Sequence, residues 1–351
     1  MYKASFNKYI LNFKQPSGTS RGMLTEKPTY FIRIWKEENP YVIGYGECSI
    51  LKGLSIDDVE NYENFLAEVC QNIGDYIEDI GSKLKLFPSI IFGIESALKD
   101  LENGGKRILF PSDFTDGIEG IPINGLIWMG SIGFMKEQLR AKVEEGFRCI
   151  KVKVGSIEFE EELKFLIGMR KEYPENYFEI RLDANGAFSL DEVREKLRRL
   201  SKYKIHSIEQ PIKQGNRSEM AQLCKDSPIP IALDEELIGI DTIEEKEKLV
   251  SSIKPQYLIL KPSLLGGFKH CEEWIEIANK YKMGWWITSA LESNVGLNAI
   301  AQWAYTLNSK LPQGLGTGQL YTNNIASPLL IEDTKLWYLG RGWNLERIEE
   351  A

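Results

Sequence analysis

Two lysines one residue apart, Lys151-Val152-Lys153, end the apolar run begun by Cys149-Ile150. In a strand they share a face, because side chains alternate with a period of two. Further along, Asp183-Ala184-Asn185, Glu209-Gln210-Pro211, Asp234-Glu235 and Lys261-Pro262 each follow a short, mostly apolar run in the same way. A single charge in such a place is ordinarily a solvated residue or the cap of the next helix. Five in succession point to one shared site. The carboxylates Asp183, Glu209 and Asp234 would hold a hard divalent cation in an oxygen shell, and Mg2+ suits that donor set, with Mn2+ as a substitute. A metal on a substrate carboxylate offsets the second negative charge that appears when the neighbouring carbon loses a proton. Lysine takes that proton only when neutral, and the ammonium of Lys151 beside Lys153 disfavours the charged form of its neighbour. Lys261 would face the same carbon from the other side, as a second base or as a cation against the developing charge. The expected chemistry is proton abstraction next to a carboxylate.

These groups need a scaffold that brings successive strand ends together. From about residue 120 the sequence repeats a short strand followed by a helix. Strands are expected at 121–127, 149–154, 179–183, 207–209, 229–234, 257–261 and 285–289, and at the glycine-rich 314–318. Ser131 would open a helix ending near Gly146, and Ser189-Leu190-Asp191-Glu192 reads as a capping box. About eight such units give an α/β fold whose parallel sheet closes into a barrel, with functional groups at the C-terminal strand ends. An open doubly wound sheet is the alternative, but no GxGxxG follows the first strand. Ahead of the barrel, strands at 29–35 and 41–47 and helices from Ser55 to about Ile77 and from Pro88 to Gly104-Gly105 indicate an α+β unit. Residues 15–22, polar and glycine-containing, read as a mobile loop between the first two strands. Residues 327–351 fall outside the barrel rhythm and would return to the N-terminal unit.

Composition bounds the rest. The chain has 351 residues, 43% of them apolar, enough for a large core. The net charge of −8 comes without a basic stripe, which argues against nucleic acid or an anionic membrane as the main partner. Five dispersed cysteines without CxxC spacing read as reduced core thiols of a cytoplasmic protein. No apolar run approaches a membrane span or a signal sequence. With only His206 and His270 present, acid–base chemistry must rest on lysines and carboxylates. The oligomeric state is not expressed in the sequence.

In this order the KxK, DxN, ExP, DE and KP elements resemble the lysine-lysine branch of the enolase superfamily. That branch contains o-succinylbenzoate synthases, dipeptide epimerases and muconate-cycloisomerase-like enzymes. The resemblance covers nearly the whole chain and implies a modified TIM barrel, (β/α)7β, with an N-terminal capping domain. Residues 1–115 would form the cap, 116–320 the barrel, and 321–351 a segment returning to the cap. By the same resemblance Lys153 is the acid/base lysine and Lys261 the lysine across the site. Lys151 tunes Lys153 and helps hold the substrate carboxylate. Asp183, Glu209 and Asp234 match the metal ligands, with Glu235 ranked behind Asp234.

Departures from other members narrow the choice. A racemase of the mandelate type needs a histidine at the end of the seventh strand, where this chain has Ser289. Dipeptide epimerases carry Asp-x-Asp at the eighth strand, which here reads Gly314-Leu315-Gly316-Thr317-Gly318. The expectation is therefore an o-succinylbenzoate synthase, a lyase of menaquinone biosynthesis acting on a small carboxylate. An epimerase or N-acylamino acid racemase is the alternative, and a barrel kept only for binding is disfavoured by the complete charge set. Ser289 and Ser293 would bind the succinyl carboxylate, and Gly316 would let the substrate approach the backbone. Arg21, on the loop over the barrel mouth, would reach the substrate. Glu47 is expected to stabilise the capping domain rather than take part in chemistry.

Overall fold

The computed structural model describes residues 1–19 and 22–349. Its N-terminal part is a three-stranded antiparallel sheet of Tyr2–Thr19, Gly22–Lys36 and Asn39–Cys48. Residues 15–19 are not the expected loop. They continue the first strand, with Ser17, Gly18 and Thr19 opposite Leu24, Met23 and Gly22 after a register shift beyond Asn12. Pro16 is tolerated there because the strand lies at the sheet edge and beside the irregularity, where a missing N–H breaks no regular ladder. Arg21 lies outside the described residues.

The helix Pro88–Glu102 packs on this sheet through two glycines of the third strand. A Cβ at Gly44 would lie 1.9 Å from the carbonyl oxygen of Ala97, and one at Gly46 would lie 1.9 Å from that of Gly93. Only glycine allows the backbones that close. The expected helix from Ser55 instead begins at Tyr62 and breaks into Tyr62–Gln71, Ile73–Glu78 and Ile80–Lys83. Asp57, near the expected start of that helix, turns inward and accepts from the Ser89 N–H at 2.9 Å and its hydroxyl at 2.6 Å. Similarly, Ser189 bonds Glu192 at 2.9 Å but the helix starts only at Val193. Ser131 does cap Ile132–Glu144.

Seven parallel strands follow, each paired with the next in chain order: Gly125–Ile127, Cys149–Lys153, Glu179–Asp183, Ile205–Glu209, Ile231–Leu233, Tyr257–Leu260 and Gly284–Ile287. The sheet curls, and the eighth position is filled by Gln313-Gly314, bridged singly to Ile123 and to Thr288. The expected eighth strand thus reduces to two residues, and Gly316–Gln319 forms a 3-10 turn. The glycine content explains the reduction: glycine supplies no side chain to pack on a sheet. At Gly314 it is required, since a Cβ would lie 2.2 Å from Thr288 Oγ1.

The C-terminal hairpin Leu329–Glu332 and Lys335–Tyr338 pairs with Ile121–Pro122 at the base of the first barrel strand. Beyond it the chain does reach the N-terminal sheet: Asn7 Nδ2 donates to the Ile348 carbonyl at 2.6 Å, and the Tyr45 hydroxyl donates to Glu349 at 2.6 Å. All five cysteines are free and buried. Among the described residues, no helix is long and apolar enough to cross a membrane.

Candidate active site

The charged strand ends meet at a cavity of about 480 Å3 at the C-terminal rim of the barrel. Lys151 and Lys153, both 8% exposed, line it together with Asp183, Asn185 and Lys261. Lys151 Nζ lies 2.9 Å from Asp183 Oδ2 and 3.0 Å from Glu209 Oε2. Lys153 Nζ lies 2.9 Å from the same Asp183 oxygen and donates to Asn185 Oδ1 at 2.6 Å. Lys261 pairs with Asp234 and stands 3.9 Å from Glu209 Oε1. Ammonium and carboxylate groups therefore alternate across four adjacent strands and the sixth-strand lysine.

This alternation sets the electrostatics of Lys151. Burial works to lower the Lys151 pKa, but the Asp183 and Glu209 carboxylates outweigh it and the pKa rises. Lys261 behaves alike: burial is overcome by Asp234 and Glu209. Repulsion between the two lysines is thus not the controlling influence on Lys151. Burial would raise Asp183, yet the ammoniums of Lys151, Lys153 and Lys261 hold its carboxyl well below the usual range. Glu209 is pushed up to about 7 by burial and by the Asp183 charge. Asp234 is raised chiefly by burial, with Lys261 opposing.

The same residues can be tested for a metal. Among the described residues, no three carboxylates, histidines or cysteines are gathered closely enough to hold an ion as they stand, because Lys151 and Lys261 reach between the carboxylates. In donor type and charge, however, the set fits a hard divalent cation. Four carboxyl groups, Asp183, Glu209, Asp234 and Glu235, are at most 2% exposed, and three lysines oppose them. Glu209 Oε1 is buried without a hydrogen bond, an orphaned acceptor that a bound cation would satisfy.

The remaining predicted residues divide. Ser289 lines the cavity, its hydroxyl 2.5 Å from Thr317 Oγ1. Gly316 also lines it, and a Cβ there would make only ordinary contacts with its protein neighbours Ile123, Asn124 and Ile331. Ser293 is not brought to the cavity. It is fully buried at the start of the helix Asn294–Thr306, where its hydroxyl donates to Glu47 Oε2 at 2.5 Å and accepts from the Val295 N–H. Glu47 accordingly bridges from the N-terminal sheet to a barrel helix instead of serving the cap alone. Neither histidine lines the cavity: His206 contacts Tyr257, and His270 lies on the helix Gly267–Lys280.

Two cavity residues were given no role in the sequence reading. Asn185 connects Lys153, through Oδ1, to Glu235, through Nδ2 at 3.0 Å, and holds a φ of +44°, a conformation that asparagine adopts more readily than most residues. Its place in Asp183-Ala184-Asn185 was the available signal. Trp128, just beyond the first barrel strand, also lines the cavity, with Lys153 Nζ 5.7 Å from its ring. Nothing in its local sequence marks it.

Residues 134–338 match the family model described as Enolase C-terminal domain-like. The o-succinylbenzoate synthase of Desulfotalea psychrophila (strain LSv54 / DSM 12343) is 47% identical over 93% of this chain and 96% of its own. The crystal structure of MenC from Desulfotalea psychrophila LSv54 superposes with a TM-score of 0.84, covering 96% of this chain and 99% of that one at 43% identity. The L-Ala-D/L-Glu epimerase of Francisella tularensis subsp. novicida (strain U112) is 24% identical over 74% of this chain and 75% of its own.

Proposed function

The chain belongs to the Enolase C-terminal domain-like family, and on that footing we propose that it is an o-succinylbenzoate synthase. Such an enzyme is a carbon–oxygen lyase that removes water from a cyclohexadiene carboxylate bearing a hydroxyl and a succinyl arm. One observation favours it over an epimerase: among the described residues lining the cavity, Asp183 is the only carboxylate, and it is already engaged by Lys151 and Lys153. An amino-acid or dipeptide substrate would present an ammonium to a wall with no free anion to receive it. A dicarboxylate meets three lysines instead.

In this reading Lys153, as a neutral amine, takes the proton from the carbon beside the substrate carboxylate. It then returns that proton to the hydroxyl leaving from the same face, so a carbon–hydrogen and a carbon–oxygen bond break and water departs. Lys261, across the cavity, holds positive charge against the electron density that builds up between the two events. Lys151, fixed between Asp183 and Glu209, orients the substrate carboxylate, and Asn185 holds Lys153 in position. Asp183, Glu209 and Asp234 would hold the divalent ion, which when bound offsets the second negative charge on the substrate carboxylate. We assign it as Mg2+. Ser289 contributes a hydroxyl for the distal carboxylate. Residues 1–115 with 321–351 act as a cap over a barrel of 116–320.

The test is ultraviolet conversion of the cyclohexadiene precursor by purified protein with magnesium. Conversion at enzymatic rates is expected. If the precursor stays unchanged while α-protons of dipeptides exchange in D2O, the epimerase reading replaces this one.

A further inference from the structure

Besides its lysines and Asp183 the cavity is lined by Leu51, Trp128, Leu291 and Leu320, which belong to one apolar cluster. Trp128 lies beside the reacting lysine, and its backbone is held by a side chain from another element. The first barrel strand ends at Ile127, so the Trp128 backbone is no longer part of the ladder. Gln138, from the helix Ile132–Glu144, satisfies it instead: Oε1 accepts the Trp128 N–H at 2.9 Å, and Nε2 donates to the Trp128 carbonyl at 3.1 Å. Both backbone groups are thereby fixed by one amide. The side chain packs against the apolar cluster of Leu11, Phe13, Leu291 and Tyr321, so it is gripped between the N-terminal hairpin and the seventh-strand loop. It remains half-buried, its open part on the cavity.

A bulky flat group clamped in this way beside Lys153 is a surface, not a reactive group. The ammonium 5.7 Å from its centroid shows that the π-system and the Lys153 head share one neighbourhood. A ring lying on the indole would present its edge carbons to that head.

We propose that Trp128 is a specificity-determining platform, on which the unsaturated six-membered ring of the substrate stacks so that its acidic carbon faces Lys153. This rests on the synthase reading for the kind of ligand. Offset stacking strengthens as the ring becomes aromatic, so the platform favours the aromatic product over a saturated ring of the same outline. Gln138 acts through Trp128, as a positioning residue.

The experiment is calorimetric titration of the magnesium-loaded protein with o-succinylbenzoate and with its ring-hydrogenated analogue, for wild type, Trp128→Leu and Trp128→Phe. Wild type is expected to prefer the aromatic ligand by about 3- to 10-fold, the range that an aromatic contact supplies. Trp128→Phe should keep most of that preference, and Trp128→Leu should lose it. Quenching of indole emission by the aromatic ligand should shrink in Trp128→Phe, which provides a readout even if the Leu variant does not fold. Equal weakening of both ligands in Trp128→Leu, or no aromatic preference in wild type, overturns the platform. Failure of the synthase reading shows separately, as wild type that leaves the diene unconverted.

Discussion

Glu47 offers a sharp test of how the N-terminal sheet and the barrel are joined. Its carboxylate is fully buried and accepts four hydrogen bonds: the Thr29 hydroxyl at 2.7 Å, the Ser293 N–H at 2.9 Å, the Ser293 hydroxyl at 2.5 Å and the Gly296 N–H at 2.9 Å. Two of these donors are first-turn backbone groups of the helix Asn294–Thr306 and its cap, so an anion from another sheet caps this helix. In Glu47→Ala the hydroxyls can seek other acceptors, but the two N–H groups cannot. A stranded buried donor costs about 1–3 kcal/mol, so the pair sets a loss of about 4 kcal/mol. Removing the charge adds to it, because buried Lys27, its pKa lowered by burial, has Glu47 and Glu292 as opposing charges. Glu47→Gln keeps one acceptor oxygen and should lose about half as much, roughly 2 kcal/mol. Urea unfolding at neutral pH measures both. Ser289 to Leu291, immediately before this cap, line the cavity, so KM should also rise while magnesium binding holds. An Ala variant within about 1 kcal/mol of wild type would refute the capping role, since surface substitutions reach that range.

Lys153→Ala and Lys261→Ala should each lower kcat by about 100- to 10,000-fold, with magnesium affinity by calorimetry little changed; undiminished turnover in either removes its assigned role. Asp57 is buried with its pKa pushed up to about 6, by burial against the Ser89 hydrogen bonds. The folded state then holds this proton more tightly than the unfolded one, so the contribution of Asp57 to stability is greatest at low pH and falls as pH rises from about 4 to about 6, by about 3 kcal/mol. Asp57→Asn should flatten that slope in unfolding curves taken across this window, and an unchanged slope would exonerate Asp57. Gly46→Ala drives a methyl against the Gly93 carbonyl and should cost about 3 kcal/mol or more, seen as loss of soluble protein or a lowered urea midpoint; near-neutral stability would mean that the helix shifts freely.

What the sequence determined by itself was local and periodic. Period-two alternation places Lys151 and Lys153 on one face, and the succession of charged residues after apolar runs marks one rim of a parallel barrel. Strand ends read well because the switch that marks them, from apolar residues packed in the sheet to charged residues at its rim, occurs within a few residues. Hydrogen bonds between residues far apart in the chain were not legible. The continuation of residues 15–19 as strand depends on a partner strand. The diversion of Ser293 from substrate to cap depends on Glu47, 246 residues away. The prominence of Trp128 depends on Gln138 and on a hairpin from the other sheet. Tertiary structure also decided the electrostatics of Lys151: only the fold sets Asp183 and Glu209 within 3.0 Å of it, where their attraction outweighs the effect of burial. Spacing along a chain says which groups can share a face. Which opposite charges and donors meet them there is a property of packing, set by every element at once.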